Sequence, residues 1–158
     1  MKNIEIYTDG ACKGNPGPGG YGAVLMYKGA RREISGAYAL TTNNRMEVLA
    51  AIKALQLLKE PCGVNLYSDS RYLVDAIEKG WVKKWCTNNW MRNKKERAVN
   101  VDLWVQLLEL LQMHRVKFIW VKGHADNAEN ERCDQLATQS IEAGNFQKDT
   151  VYESITAP

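Results

Sequence analysis

The spacing of apolar residues changes once along this chain, and that change limits the folds open to it. From Asn3 to Leu40 the period is close to two. Ile4, Ile6 and Thr8 alternate with Glu5 and Tyr7 as far as Asp9, and Gly20 to Tyr27 and Arg31 to Leu40 read as two further strands joined by a turn at Lys28 and Gly29. From Asn44 to Lys59 the chain is rich in Ala, Leu and Met, with no internal Gly or Pro, and Pro61 and Gly63 follow as stop signals. A helix buried on much of its surface is expected there. Val64 to Ser68 is a short strand, after which Leu73, Ala76, Ile77 and Trp81 keep helical spacing. Behind Asn100, Trp104, Leu107, Leu108 and Leu111 form one apolar stripe. Val116 to Val121 supplies another strand, and Cys133, Leu136, Ala137, Ser140 and Ile141 mark a last helix that Gly144 can end. Antiparallel strands followed by alternating units predict an α/β protein with a mixed sheet and helices on its faces.

At 158 residues, with 45% hydrophobic and 25% charged residues, the chain has room for one cored domain and too little for two. That domain is expected over residues 1–144, with residues 145–158 a disordered tail. The cysteines Cys12, Cys62, Cys86 and Cys133 form no C-x-x-C pair, which argues against zinc and against a disulfide framework, and suits a reducing, cytoplasmic compartment. No segment has the pattern of a secretory leader or a membrane span, so no membrane partner is expected. The net charge of +3 conceals a basic patch. Between Lys79 and Arg97, Lys83, Lys84, Arg92, Lys94 and Lys95 accompany those two residues against Glu96 alone, so the rest of the chain is net acidic.

Three acids stand where strands meet helices: Asp9 after the first strand, Asp69 after the fourth, and Glu47 early in the long helix. Carboxylates at neighbouring strand ends can share one hard cation, and Asp134 in the last helix can add a fourth. Each also has a plainer explanation. Glu47 stands three residues after Asn44 as in a capping box, and Asp69 can itself be a cap. The run Gly14-Asn15-Pro16-Gly17-Pro18-Gly19-Gly20 lacks the Gly-Lys-Ser/Thr of a phosphate loop and reads as a tight connection, with Asn15 its one candidate ligand. His124, in a loop after a strand, can shuttle protons or be an ordinary exposed histidine, whereas His114 near a helix end is assigned no role.

Four segments together resemble bacterial type-I ribonuclease H: Thr8 to Gly22, Thr41 to Glu47, Tyr67 to Ser70, and Trp120 to Ala125 followed by Asn130 to Asp134. The resemblance spans about residues 1–143 in the family's order and spacing. It implies a ribonuclease H-like fold with a five-stranded mixed sheet and a basic helical protrusion over Trp81 to Arg97. It also implies an endonuclease that cuts the RNA strand of RNA/DNA hybrids, leaving 3′-hydroxyl and 5′-phosphate ends. The metal site it implies is Asp9, Glu47, Asp69 and Asp134, holding two Mg²⁺ ions with substrate, Mn²⁺ being an expected substitute, and His124 is the matching catalytic histidine. Asn15, Asn43 and Asn44 match readers of the hybrid's minor groove, and Thr42 and Asn100 match a pocket for a DNA-strand phosphate. Lys83, Lys84, Lys94 and Lys95 belong to the protrusion, whose cations are expected to face phosphate. Two positions depart from the family: Leu40 replaces the pocket's arginine, and Arg71 replaces a glutamine and can add a phosphate contact. No obligate protein partner is implied, and a monomer is expected. The rival readings are a nuclease of the same fold with another substrate, and a hybrid-binding module without catalysis.

Overall fold

The computed structural model describes residues 1–123 and 127–156. Its elements in chain order are β1 (Lys2–Cys12), β2 (Gly17–Tyr27), β3 (Ala30–Thr41), α1 (Asn43–Gln56), β4 (Cys62–Ser68), α2 (Arg71–Glu78), α3 (Trp81–Thr87), α4 (Val101–Met113), β5 (Arg115–Trp120), α5 (Ala128–Ala143), β6 (Phe146–Gln147) and α6 (Thr150–Thr156). The strands lie in the order β5-β4-β1-β2-β3-β6. β1–β2 and β2–β3 are antiparallel, while β1–β4, β4–β5 and β3–β6 are parallel, so the sheet is mixed as the periodicity requires.

Two glycines show how the helices are layered. A methyl group on Gly10 would come within 2.5 Å of the Glu47 backbone nitrogen in α1, whereas one on Gly22 would come within 2.4 Å of the Cys133 carbonyl oxygen in α5. Gly22 pairs with Asp9, the neighbour of Gly10, and successive residues of a strand point to opposite faces. α1 and α5 therefore cover opposite faces of the sheet, and Asp9 belongs to the face under α5. The core lies mainly between the sheet and α1. Ile4, Ile6, Val64 and Leu66 meet Met46, Val48, Leu55 and the fully buried Trp104 of α4. No described helix is long and apolar enough to cross a membrane.

Two expectations need correction. Residues 145–158, expected to be disordered, supply a sixth strand and a terminal helix through Thr156. The anchor is ionic rather than apolar: Asp149 accepts hydrogen bonds from the buried Arg45 guanidinium and from Thr41, which is why a search for apolar periodicity passes over it. The basic protrusion is helical only in its first half. α3 ends at Thr87, Asn89 and Trp90 adopt positive φ, and the chain returns through a single bridge between Met91 and Arg97.

Candidate active site

Strand register brings the first two acids together. β1 and β4 run parallel, with Thr8 opposite Ser68, so the next residues, Asp9 and Asp69, emerge side by side. Glu47 arrives from α1, which can lie against β1 because Gly10 has no side chain. Carboxylate oxygens of Asp9, Glu47 and Asp69 all lie within 4.8 Å of one another. Asp134, from α5, lines the same open depression of about 400 Å³. The structure thus gathers four sequence-predicted acids at one end of the sheet, three of them in mutual contact range.

The plainer explanations for these acids do not survive. The N-cap of α1 is Thr42, whose Oγ1 accepts from the Arg45 amide at 3.1 Å, so the helix starts before Asn44 and Glu47 lies beyond its first turn. Ser70, not Asp69, caps α2, accepting from the Leu73 amide. Neither acid is needed to finish a helix.

Electrostatics sets the site apart further. Burial, then the charges of Asp69 and Asp134, push the Asp9 carboxyl up to about 8, against one opposing hydrogen bond from the Gly10 amide. Burial, then Asp9 and Asp69, also raise Glu47 well above the usual carboxylate range. Glu47 is 5% exposed, and its Oε1 is buried without a hydrogen-bond partner among the described residues. An orphaned buried oxygen beside two further carboxylates, with no cation of the protein in the cluster among the described residues, is a donor set suited to a hard divalent ion.

The remaining predicted residues among those described fall in three groups. Asn43, Asn44 and Arg71 line the depression itself, and Asn15 Oδ1 accepts from the Asn43 amide at 3.1 Å. Thr42 and Asn100 meet through Arg45, which reaches Asn100 Oδ1 at 3.3 Å. Asn100 heads α4 in a left-handed conformation (φ 62°), yet its side chain makes no capping bond. Lys83, Lys84, Lys94 and Lys95 are exposed on the protrusion. Lys84 borders a second hollow of about 430 Å³ with Tyr72, Trp81, Trp85 and Arg92. His124 lies outside the described residues. His114 is buried, accepts from the Cys62 amide at 3.1 Å, and joins the end of α4 to β4.

Sequence reasoning missed three residues. Trp120 donates from Nε1 to the Asp69 carbonyl at 3.1 Å and carries the Arg71 guanidinium 3.9 Å above its ring, so it fixes both an acid and a cation of the site. Tyr72 lines both hollows and accepts from Asn100 Nδ2 at 3.0 Å. Arg45 is 2% exposed and paired with Asp102 and Asp149. A cation in the first turn of a helix opposes the helix dipole, which was the available sign that Arg45 had partners elsewhere.

A mixed sheet with clustered carboxylates at its strand ends and a basic protrusion alongside suits the class of cation-dependent nucleases. Comparison with known proteins narrows this. The family profile described as RNase H matches residues 1–142. The chain is 62% identical to the ribonuclease H of Desulforamulus reducens over 149 residues, 94% of each chain, and 58% identical to that of Syntrophus aciditrophicus over 152 residues, 96% of this chain and 88% of the relative. Among solved structures, LC9-RNase H1, described as a type 1 RNase H with the type 2 active-site motif, superposes with a TM-score of 0.81 at 30% identity, covering all of this chain and 82% of that one. The chain belongs to the ribonuclease H family, endoribonucleases that act on the RNA strand of RNA/DNA hybrids and use divalent metal ions.

Proposed function

We propose that Asp9, Glu47, Asp69 and Asp134 form the catalytic centre and hold two Mg²⁺ ions when the hybrid is bound, with Mn²⁺ able to replace them. The observation that carries this reading is the group of three carboxylates within 4.8 Å, with the buried, unpartnered Glu47 oxygen among them. Bound there, divalent cations supply Lewis-acid charge to an attacking water and to the departing 3′ oxygen of the RNA. The chain's own part is to hold the carboxylates. Asp9 and Asp69 are fixed by parallel strands, and Glu47 by a helix whose first turn is pinned at Thr42. Trp120 keeps the Asp69 backbone in place through its indole N–H. His124, which follows β5 in the sequence, serves proton transfer and matters less than the acids.

The hybrid lies over the acids with its minor groove against Asn15, Asn43 and Asn44, whose amide groups suit base edges and 2′-hydroxyls. Arg71, flattened on Trp120, adds a cation to that rim, and Thr42 with Asn100 takes a DNA-strand phosphate. Lys83, Lys84, Lys94 and Lys95 extend the phosphate track along the protrusion. Every carboxylate of the centre comes from one chain, so we take the protein to act as a monomer without an obligate partner; a cytoplasmic setting agrees with four free thiols. The test is cleavage of end-labelled RNA/DNA hybrid, duplex RNA, duplex DNA and single strands, with Mg²⁺ and then with EDTA. Only the RNA of the hybrid should be cut, and only with the metal; equal cleavage of duplex RNA would overturn the substrate assignment.

A further inference from the structure

We propose that Asp149, in the C-terminal segment, is a positioning residue for hybrid binding: through Arg45 it sets the two donors, Thr42 and Asn100, that receive a phosphate of the DNA strand. This rests on the reading of Thr42 and Asn100 given above. The argument begins with the hydrogens of Arg45. Nε donates to Asp149 Oδ2 at 2.7 Å, and Nη2 donates to Asp149 Oδ1 at 2.9 Å and Asp102 Oδ2 at 2.7 Å. Nη1 donates to Asp102 Oδ1 at 2.9 Å and Asn100 Oδ1 at 3.3 Å. All five guanidinium N–H groups are thereby used. Buried and saturated, Arg45 is not itself a phosphate ligand; it is a fork held from two sides.

That fork decides which end of the Asn100 amide faces outward. With Oδ1 turned to Arg45, Nδ2 is directed away, one hydrogen going to the Tyr72 hydroxyl and one left free to donate. Arg45 acts on Thr42 as well: its backbone N–H occupies a lone pair of Oγ1, leaving the hydroxyl hydrogen for another acceptor. Two donors that have no further acceptor among the hydrogen bonds of the described residues, held in a fixed orientation, are what an anionic oxygen requires. Asp149 controls both sides of the arrangement, since Oδ2 also accepts from Thr41 Oγ1 at 2.6 Å, immediately before Thr42. If Asp149 loses its charge, the Nε end of Arg45 is released, the Asn100 amide is free to turn its oxygen outward, and the pocket offers an acceptor where it should offer a donor. Neither α6 nor β6 supplies a group of its own to the pocket in this account; the segment acts through one carboxylate.

The experiment measures hybrid binding in EDTA by fluorescence anisotropy, with hybrids carrying a single neutral methylphosphonate at successive linkages of the DNA strand. Wild type should lose affinity about fivefold at one linkage, the worth of a single hydrogen-bonded contact. Asp149→Asn should bind unmodified hybrid about fivefold more weakly and show no further loss at that linkage, the mark of coupling in a double-mutant cycle. In Mg²⁺ its KM should rise by the same factor while kcat stays within about twofold, because the acids are untouched. Asp149→Asn removes charge from a buried pair, so Thr41→Val serves as a milder second variant that keeps the ion pair and should show a smaller effect at the same linkage. A merely structural role would lower the melting temperature of both variants but leave the methylphosphonate penalty at its wild-type size, and that result overturns the proposal, as does wild-type affinity in folded Asp149→Asn. Cleavage by wild type in Mg²⁺ reports separately on the catalytic reading, so failure of one is distinct from failure of the other.

Discussion

Within two residues of α1 the molecule handles buried charge in opposite ways. Arg45 is enclosed by Asp102, Asp149 and Asn100, and every donor it has is used. Glu47 is equally buried, but its neighbours are Asp9 and Asp69, and one of its oxygens has no partner among the described residues. The ionisations diverge accordingly. Burial pushes Asp149 up, but hydrogen bonds from Arg45 and Thr41 and the charge of Arg45 outweigh it and hold the carboxyl below its usual range. At Asp9 burial and like charge act together, so the carboxyl rises to about 8. The first constellation is complete in the protein alone. The second has no counter-charge among the described residues, and the difference is the one expected between a group that stabilises the fold and a group kept for function.

The largest expected effect breaks the second constellation chemically. Asp9→Asn, Glu47→Gln and Asp69→Asn should each lower the rate of hybrid cleavage about a thousandfold or more, because each removes charge from the cation site, while binding in EDTA stays near wild type. Asp149→Asn, carrying the same change of charge, should keep most of its turnover at saturating hybrid. Single-turnover cleavage of labelled hybrid measures both; an Asp69→Asn protein that cuts at the wild-type rate would show that these acids do not hold the metal.

Next comes the structural constellation. Arg45→Met should destabilise the protein by about 3–5 kcal/mol, since it leaves the buried Asp149 and the partly buried Asp102 without their cation. At 2–4 °C per kcal/mol for a chain of this size, the melting temperature should fall by roughly 10 °C. Replacing all three partners by apolar residues, Arg45→Met with Asp102→Leu and Asp149→Leu, should recover part of that loss, because the desolvation cost goes with the charges. A melting temperature for Arg45→Met within about 2 °C of wild type would remove the contrast on which the comparison stands.

The same comparison explains what was legible in the sequence. Asp9 and Asp69 could be placed because strand periodicity marks where strands end, and Glu47 because an uninterrupted helix follows. What window-based reading lacked was long-range pairing. Asp149 and Arg45 are separated by 104 residues, and the segment holding Asp149 has too few apolar residues to announce itself, so by periodicity an ordered element reads as a loose tail. Helix starts misled in the same local way. Asn44 is as good a cap by type as Thr42, and only the observed bond to the Arg45 amide decides between them. In the protrusion, basic residues and tryptophans fit a helix pair, but positive φ at Asn89 and Trp90 ends the helical path. Trp120 is inconspicuous in the sequence because a strand-end tryptophan normally signifies packing, and its contact with the Asp69 backbone depends on the β4–β5 register.

The smallest effect concerns stability without metal, and there the two constellations should respond to pH with opposite signs. Asp9 has an ordinary value of 3.8 and a folded value near 8. Below the lower value it is neutral in both states and costs nothing. Between the two the unfolded chain ionises while the folded chain keeps its proton, so the folded state binds more protons and stability falls as pH rises, until the loss is complete above the folded value. Asp149 behaves conversely: its contribution is present above its ordinary 3.8 and is lost as pH falls through its depressed folded value. Two carboxylates about 4 Å apart at an effective dielectric near 20 repel by roughly 4 kcal/mol, and proton uptake relieves much of this. A residual gain of about 1–2 kcal/mol is therefore expected for Asp9→Asn in EDTA at neutral pH, the usual size of gain from relieving a strained functional group. The corresponding rise in melting temperature is roughly 2–6 °C. It should grow from about pH 4 to about pH 8, the range in which the unfolded chain is ionised at Asp9 while the folded cluster still holds its proton. Asp149→Asn should instead be less stable than wild type at neutral pH and converge with it in acid. Added Mg²⁺ should narrow the Asp9→Asn gap by stabilising wild type more. Glu109→Gln, on an exposed face of α4, is the control and should move neither curve. Thermal unfolding in EDTA across this range decides the matter: if Asp9→Asn, Glu47→Gln and Asp69→Asn are all less stable than wild type, the carboxylates do not repel one another, and the acidic cluster is as self-sufficient as the one around Arg45.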